Sequence, residues 1–169
     1  MQYRRMYVPG ATYFFTVVTH QRRPVFADPA RVALLRDVMR REMAARPFAI
    51  DAMVVLPDHL HAIWILPEDD ADFSVRWRRI KSEFSRGLAT AGGRARPVWQ
   101  PRFWEHVIRN DQDHAAHRDY IHINPVKHGL VSAAADWPHS SFHRFVRQAV
   151  YPPDWGTLDV PVPVTIGRE

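Results

Sequence analysis

The pattern of apolar and polar residues predicts a strand and then a helix in the first quarter of the chain. Residues 13–19 (YFFTVVT) are mostly β-branched or aromatic and follow a Pro-Gly turn, which is typical of a strand. Asp28 and Pro29 then mark the start of a helix, because an acidic cap followed by proline suits the first helical turn. Apolar residues recur every three or four positions after Pro29 until Pro47 ends this helix.

The middle of the chain predicts a hairpin followed by a basic helix. The apolar runs 48–56 and 59–66 are separated only by a Pro-Asp pair, so we expect them to form an antiparallel hairpin. Residues 73–88 place apolar side chains on one helical face and most of their Arg and Lys elsewhere. We expect Gly92 and Gly93 to close this amphipathic helix.

The last third predicts one more strand and one more helix. Residues 103–108 favour a fourth strand, and Asn110 or Asp111 can cap a helix that is expected to run to about Asn124, before Pro125 ends it. The resulting order is β-α-β-β-α-β-α with a hairpin in its centre. This order predicts an α+β fold, a ferredoxin-like sandwich with an antiparallel sheet and an added C-terminal helix.

Length and composition favour one domain with a short tail. A chain of 169 residues fits a single core, and a hydrophobic content of 46% excludes a disordered protein. We assign residues 1–150 to this domain and 151–169 to a C-terminal tail, because the tail has no helical or strand period. The tail is expected to be either packed or partly disordered.

Two further features limit the location and the chemistry of the protein. No apolar stretch approaches the roughly 20 residues of a membrane helix, and the first ten residues lack the apolar centre of a secretion signal. We therefore expect a cytoplasmic protein with no membrane partner. The chain has no cysteine, so a metal would have to be held by His, carboxylate or amide ligands.

Positive charge is concentrated in two segments. The formal net charge is +5, but residues 76–109 contain nine Arg or Lys and two acidic residues, and the first 23 residues contain four Arg and no acid. Trp and Phe are interleaved with the basic residues of 76–109, as in proteins that bind nucleic-acid phosphates and stack bases. A solvated arginine-rich surface would give the same counts, so charge alone leaves both interpretations open.

His59 and His61 form the first candidate site. Two positions apart on a predicted strand, their side chains leave the same face and can converge on one ion. Since roughly 0.6 His-x-His pairs are expected by chance in a chain with this histidine content, a pair of surface or hydrogen-bonded histidines is the alternative. Ile63 and Ile65 continue the same face, which places the pair where a core meets a cleft and favours a metal site.

Tyr120 and Asn124 form the second candidate site. They are four residues apart in the last predicted helix and therefore share one side of it. A phenol, with a pKa near 10, is a weak nucleophile unless a metal or a cation stabilises its anion, and the His pair could hold such a metal. The alternatives are a half-buried aromatic and a helix-terminal amide. His117, three residues before Tyr120, is a rival ligand, a local base or a packing residue.

Several motifs follow one another in a fixed order along the chain. They are PDHLHA at 57–62, IKS at 80–82, FWE at 103–105, DYIHINPVKHGLV at 119–131 and DWP at 136–138. In this combination the chain resembles the REP-associated tyrosine transposases, which are single-tyrosine members of the HUH superfamily within the IS200-like transposases. The resemblance runs from about Tyr3 to Gly156.

The resemblance implies a metal-dependent endonuclease and strand transferase for single-stranded DNA. His59 and His61 match the metal-binding His pair of the family, Asn124 matches the residue that completes the metal shell, and Tyr120 matches the nucleophile. The implied products are a 5′-phosphotyrosine and a free 3′-hydroxyl. The implied cofactor is Mg²⁺ or Mn²⁺, of which Mn²⁺ suits imidazole ligands better.

The resemblance also implies that the DNA is folded into palindromic hairpins, the repetitive extragenic palindromes, and that the protein associates with the bacterial nucleoid. We predict that phosphates bind to basic residues of the N-terminal arm and of helix 73–88, namely Arg4, Arg5, Arg76, Arg78, Arg79 and Lys81. A monomer and a homodimer both remain open. Two other functions also remain open: a catalytically silent, domesticated hairpin-DNA-binding protein, and a hydrolase that uses water in place of Tyr120.

Overall fold

The computed structural model describes residues 5–89 and 96–157. These residues form four strands: β1 (Thr12–Val18), β2 (Ala49–Val55), β3 (His59–Ile65) and β4 (Trp104–Val107). They also form four helices: α1 (Pro29–Ala45), α2 (Phe73–Leu88), α3 (Asp111–Lys127) and α4 (Phe142–Arg147). Arg4, Gly92 and Gly93, for which the sequence makes predictions, lie outside the described residues.

The four strands form one sheet in the order β2-β3-β1-β4, and every neighbouring pair is antiparallel. The predicted α+β fold with an antiparallel sheet is therefore confirmed. β1 lies in the centre, where Thr16 pairs with His61 on one side and with Trp104 on the other. Since residues directly opposite one another in a sheet share a face, these three side chains form one row.

Polar caps begin the three long helices where the sequence predicts. The Asp28 side chain accepts a hydrogen bond from the Ala30 N–H at the start of α1, and α2 and α3 are capped in the same way by Asp72 and Asn110. Each cap satisfies a backbone N–H that has no partner within its helix. The start of α3 is thus fixed by local sequence, which sets the position of Tyr120 along it.

The end of α3 differs from the prediction. The sequence predicts that Pro125 ends this helix, but α3 continues to Lys127. A proline in the last turn removes only one backbone donor, and the helix closes beyond it, where the His128 N–H donates to the Asn124 carbonyl. Gly129, with φ of +68°, then turns the chain in the left-handed conformation that suits glycine.

The sheet separates two apolar cores. α1 and α2 cover one face, with Phe15, Trp64 and Trp77 among the buried residues of that core. The other face carries the second core, which includes Ile63 of β3 and Tyr120 of α3. Because side chains alternate along β3, His59 and His61 share the face of Ile63 and lie towards α3.

The first described residues of the predicted tail pack against the domain. Tyr151 is buried, its ring lies 4.4 Å from that of Trp155, and Thr157 forms a bridge with Ala133. Aromatic packing therefore holds residues 151–157 against the second core.

Among the described residues, no helix combines the length and the apolar character that crossing a bilayer requires.

Candidate active site

His59 and His61 lie side by side at the start of β3. Both side chains are buried, and their ring centroids are 5.0 Å apart. Nδ1 of His59 is 2.6 Å from a carboxylate oxygen of Asp58, and Nδ1 of His61 is 2.9 Å from the Thr16 hydroxyl. With Nδ1 protonated in each ring, both histidines donate to these oxygens and Nε2 is the nitrogen that could bind a metal.

Asp58 is ionised, and its carboxylate orients the ring of His59. Burial alone would raise the pKa of Asp58, but the hydrogen bond from His59 and the contact with Arg22 outweigh burial and lower it. An ionised carboxylate is a strong acceptor for the N–H of an imidazole, so it favours the protonated Nδ1 of His59. This support of a histidine by a carboxylate is common at metal sites.

α3 brings the second candidate site to the first. The ring of Tyr120 lies 5.2 Å from that of His61, and both are buried in the same region. Asn124, one helical turn after Tyr120, is completely buried. His128 follows the end of α3, and its ring lies 5.1 Å from that of His59. The structure therefore joins the His pair and the tyrosine within one chain, and buries Asn124 on the next turn of α3.

Lys127 also lies at this site, although the sequence alone did not single it out. Its Nζ lies 3.4 Å from the Tyr120 hydroxyl and 4.7 Å from the centre of the Tyr120 ring. Two helical turns separate the two residues, so they share one face of α3. This spacing is visible in the sequence, but the expectation that Pro125 ends the helix placed Lys127 outside it.

Comparison with known proteins identifies the family of this chain. A REP-associated tyrosine transposase from Escherichia coli K12 is 49% identical over 154 residues, which are 91% of this chain and 90% of the relative. A relative from Haemophilus influenzae is 40% identical over 163 residues, which are 91% of this chain and 92% of the relative. The chain belongs to the REP-associated tyrosine transposases.

The solved structure of a REP-associated tyrosine transposase bound to a REP hairpin has the same fold. The two structures superpose with a TM-score of 0.85 at 44% sequence identity, and the match covers 100% of this chain and 99% of that chain. No family model matches the chain. The resemblance that the sequence motifs indicate is thus confirmed by relatives that cover nearly the whole protein.

Besides the His pair, this member of the REP-associated tyrosine transposases has a group of two histidines and one aspartate that is spaced like a set of metal ligands. His106, Asp113 and His117 each offer a possible ligand atom, and these atoms lie within 4.8 Å of one another. Asp113 is already engaged, since its carboxylate lies 2.9 Å from Nε2 of His106 and accepts from the backbone N–H and the side chain of Arg109. The group therefore ties the start of α3 to β4.

The charges of this group agree with a structural role. Burial would raise the pKa of Asp113, but hydrogen bonds from Arg109 and His106 hold it well below its ordinary value. Burial lowers the pKa of His117, whose Nδ1 donates to the Asp113 carbonyl. His117, one turn before Tyr120, thus helps to hold α3 through a neutral ring.

Replacement of Asp113 by asparagine is expected to lower the free energy of unfolding at pH 7 by about 2 kcal/mol, the size of charge-assisted hydrogen bonds in proteins. Because folding lowers the pKa of Asp113, its carboxylate stabilises the fold above its ordinary pKa of 3.8 and loses this effect as the pH falls. Urea unfolding should therefore show a difference from wild type that shrinks in acid. Asp111→Asn, which removes an exposed charge from the same turn, is the control, and an equal loss in both variants would contradict the role of Asp113.

The predicted phosphate-binding residues occupy different environments. Arg76 is 2% exposed, and its guanidinium binds the Asp70 carboxylate and donates to the carbonyls of Arg46 and Pro47. These bonds are typical of an arginine that joins α2 to the end of α1. Arg79 is half-buried and bound to Glu42 at 2.9 Å.

The remaining basic residues differ in their exposure. Arg78 is exposed, and Arg5 is half-buried with its guanidinium 4.1 Å above the ring of Phe103. Lys81 donates to the Gln100 carbonyl at 2.6 Å, and burial lowers its pKa to about 8, which leaves it mostly charged at pH 7. Arg5 and Lys81 therefore lie beside the segment that leads into β4.

Proposed function

We propose that this protein is a metal-dependent tyrosine transposase that cleaves and rejoins single-stranded DNA beside palindromic hairpins, with Tyr120 as its nucleophile. The observation that carries the proposal is the 5.2 Å approach of the Tyr120 ring to the buried His61. A phenol in a core needs no such neighbour, whereas a nucleophile needs a group that holds the phosphate. The relatives named as REP-associated tyrosine transposases support the same function.

The residues present fit a divalent cation. His59 and His61 are buried and each is oriented through Nδ1 by an oxygen partner, and Asn124 could add an amide oxygen. Two imidazoles with an oxygen ligand suit Mn²⁺ and, with additional waters, Mg²⁺. When bound, the ion would polarise the scissile phosphate and offset the charge that develops on its oxygens.

The chain itself supplies the covalent step. The Tyr120 hydroxyl loses its proton and its oxygen forms a bond to phosphorus, while the bond from phosphorus to the 3′-oxygen breaks and that oxygen takes up a proton. One phosphodiester is exchanged for another, so a different 3′-hydroxyl can reverse the step and join the strands without ATP. Lys127 lies 3.4 Å from the Tyr120 hydroxyl, where its positive charge stabilises the phenolate.

We propose hairpin DNA as the substrate, as in the relative whose structure contains a REP hairpin. α2 packs on the opposite face of the sheet from α3, so contacts from Arg78 and cleavage at Tyr120 would involve different parts of the DNA. Because the His pair and Tyr120 come together within one chain, we propose that a single subunit carries a complete site.

The proposal is tested with labelled oligonucleotides that carry the palindromes flanking this protein's gene, incubated with Mg²⁺, Mn²⁺ or EDTA. A covalent protein–DNA band on a denaturing gel, present with metal and absent with EDTA, is the expected result. Tight hairpin binding without this band would make the protein a DNA-binding module. Cleavage without this band would indicate a hydrolase that uses water.

Replacement of Lys127 by glutamine is expected to slow formation of the covalent band by about 10- to 100-fold, because a charge beside the reacting oxygen is lost. The loss should shrink as the pH rises, since hydroxide then helps to form the phenolate. A pH series of single-turnover rates measures both effects. Lys127→Arg, which keeps the charge, should retain most of the rate, and an equal loss in both variants at every pH would contradict this role.

A further inference from the structure

Trp104 is an exposed aromatic residue on the same face of the sheet as the candidate metal site. Trp104 is on β4 at the edge of the sheet, and Thr16 of β1 pairs with both Trp104 and His61. The indole therefore shares a sheet face with the His pair, and the Cα atoms of Trp104 and His61, two strands apart, are separated by about 10 Å. Although it lies on this largely buried face, Trp104 is 40% exposed.

Neighbouring rings fix the orientation of this indole. The ring of His106 is nearly parallel to it, with an angle of 7° and a centroid distance of 5.9 Å, and the buried ring of His117 continues the stack at 16° and 4.6 Å. Phe14 meets the indole edge-on at 5.8 Å. The stack thus has a buried end at His117 and an exposed end at Trp104, where one more flat ring could be added.

The charges around Trp104 favour a nucleic-acid strand as its occupant. Arg102 and Arg109 are exposed on either side of it along the chain, and the side chain of Arg109 is 71% exposed. Arg5 and Lys81 lie beside the segment that leads into β4. A strand that follows these cations around the β4 edge would pass the indole before it reaches His61. An exposed aromatic between cations is the arrangement with which proteins bind single-stranded DNA.

We propose that Trp104 is a nucleobase-binding subsite that stacks a base of the single strand next to the cleaved phosphate. This inference rests on the proposed function, because it is the phosphate held at the His pair that brings a neighbouring base within reach of the indole. Stacking on Trp104 would fix the path of the strand on one side of the cleaved bond. Since every base has a flat face, this subsite selects single-stranded nucleotides with little base specificity.

The test compares Trp104→Ala with wild type on a series of hairpin oligonucleotides that carry the palindromes flanking the gene, with single-stranded extensions. Each member of the series replaces one base of an extension by an abasic nucleotide. In wild type, one position is expected to weaken affinity by about 10-fold or more, the size of one base–aromatic stack. In Trp104→Ala the intact DNA should bind about as weakly, and the abasic nucleotide at that position should have no further effect.

Two further variants complete the design. Trp104→Phe keeps an aromatic ring and should retain part of the affinity. Ile65→Ala is the control. Ile65 is 41% exposed, close to the 40% of Trp104, and it lies on the His-pair face at the opposite end of β3 from His59. This substitution should leave affinity unchanged. Affinity is measured by fluorescence anisotropy with Mn²⁺ present, in proteins that also carry Tyr120→Phe, so that the metal site is kept and no strand is cleaved.

The outcomes separate this inference from the proposed function. A covalent band in wild type, without any abasic position coupled to Trp104, would overturn the subsite and leave the transposase. An abasic effect coupled to Trp104 without a covalent band would support the subsite and overturn the enzyme. Light scattering that shows a dimer in wild type and a monomer in Trp104→Ala would overturn the subsite by making β4 a protein interface.

Discussion

Replacement of Tyr120 by phenylalanine is expected to abolish the covalent protein–DNA band and to lower strand cleavage by a factor of at least about 10⁴, the scale of losing a nucleophile. The change removes one oxygen. The Tyr120 ring packs against Phe14 and His61 within the second core, and phenylalanine keeps these contacts. Hairpin affinity should therefore stay within about twofold of wild type, because the substitution leaves the binding surface intact. Denaturing gels and fluorescence anisotropy measure the two effects separately.

Tyr151→Phe is the matched control for this prediction. Tyr151 is also buried on the α3 side of the sheet, but its hydroxyl is engaged by Asp119, Arg118 and His122, and burial raises its pKa. A phenol so held is a poor nucleophile, so Tyr151→Phe should keep the covalent band while it lowers stability. A band that persists in Tyr120→Phe would assign the nucleophile to another residue.

Most elements of the fold can be predicted from local sequence signals. Asp28 and Asn110 begin their helices through side-chain caps, and the two apolar runs around a Pro-Asp pair form the β2–β3 hairpin. These signals act between residues close together in the sequence, so no knowledge of the packing is needed to interpret them. Pro125 is the exception, because a proline in the last turn costs little when the backbone beyond it can close the helix.

The candidate site is less predictable, because it depends on contacts across the sheet. Spacing places His59 with His61 and Tyr120 with Asn124, but only packing brings Tyr120 to His61. The burial of Arg76 has the same origin, since it donates to the carbonyls of Arg46 and Pro47 at the end of α1, 30 and 29 residues earlier in the chain. A count of basic residues cannot separate such an arginine from one that faces solvent.

On the proposed mechanism, His61→Ala is expected to abolish Mn²⁺ binding at the His pair and to lower strand cleavage by at least about 1,000-fold, since the ion would supply several kcal/mol of charge stabilisation. The binding part of this prediction does not require DNA. Isothermal titration of the protein with MnCl₂ should show one site in wild type that is lost in His61→Ala. Thermal unfolding of the variant checks that the fold survives the loss of the buried ring and of its bond to Thr16.

The control for His61→Ala is His106→Ala, because the chain has two groups with ligand spacing. His106 belongs to the group with Asp113 and His117, where Arg109 already neutralises the carboxylate. A cation there would meet the guanidinium of Arg109 and would have to displace it, so His106→Ala should leave Mn²⁺ binding unchanged. If His106→Ala removed Mn²⁺ binding and His61→Ala kept it, the metal would belong to the second group and the His pair would be a structural element. Retention of cleavage in His61→Ala with full metal dependence would lead to the same conclusion by an independent measurement.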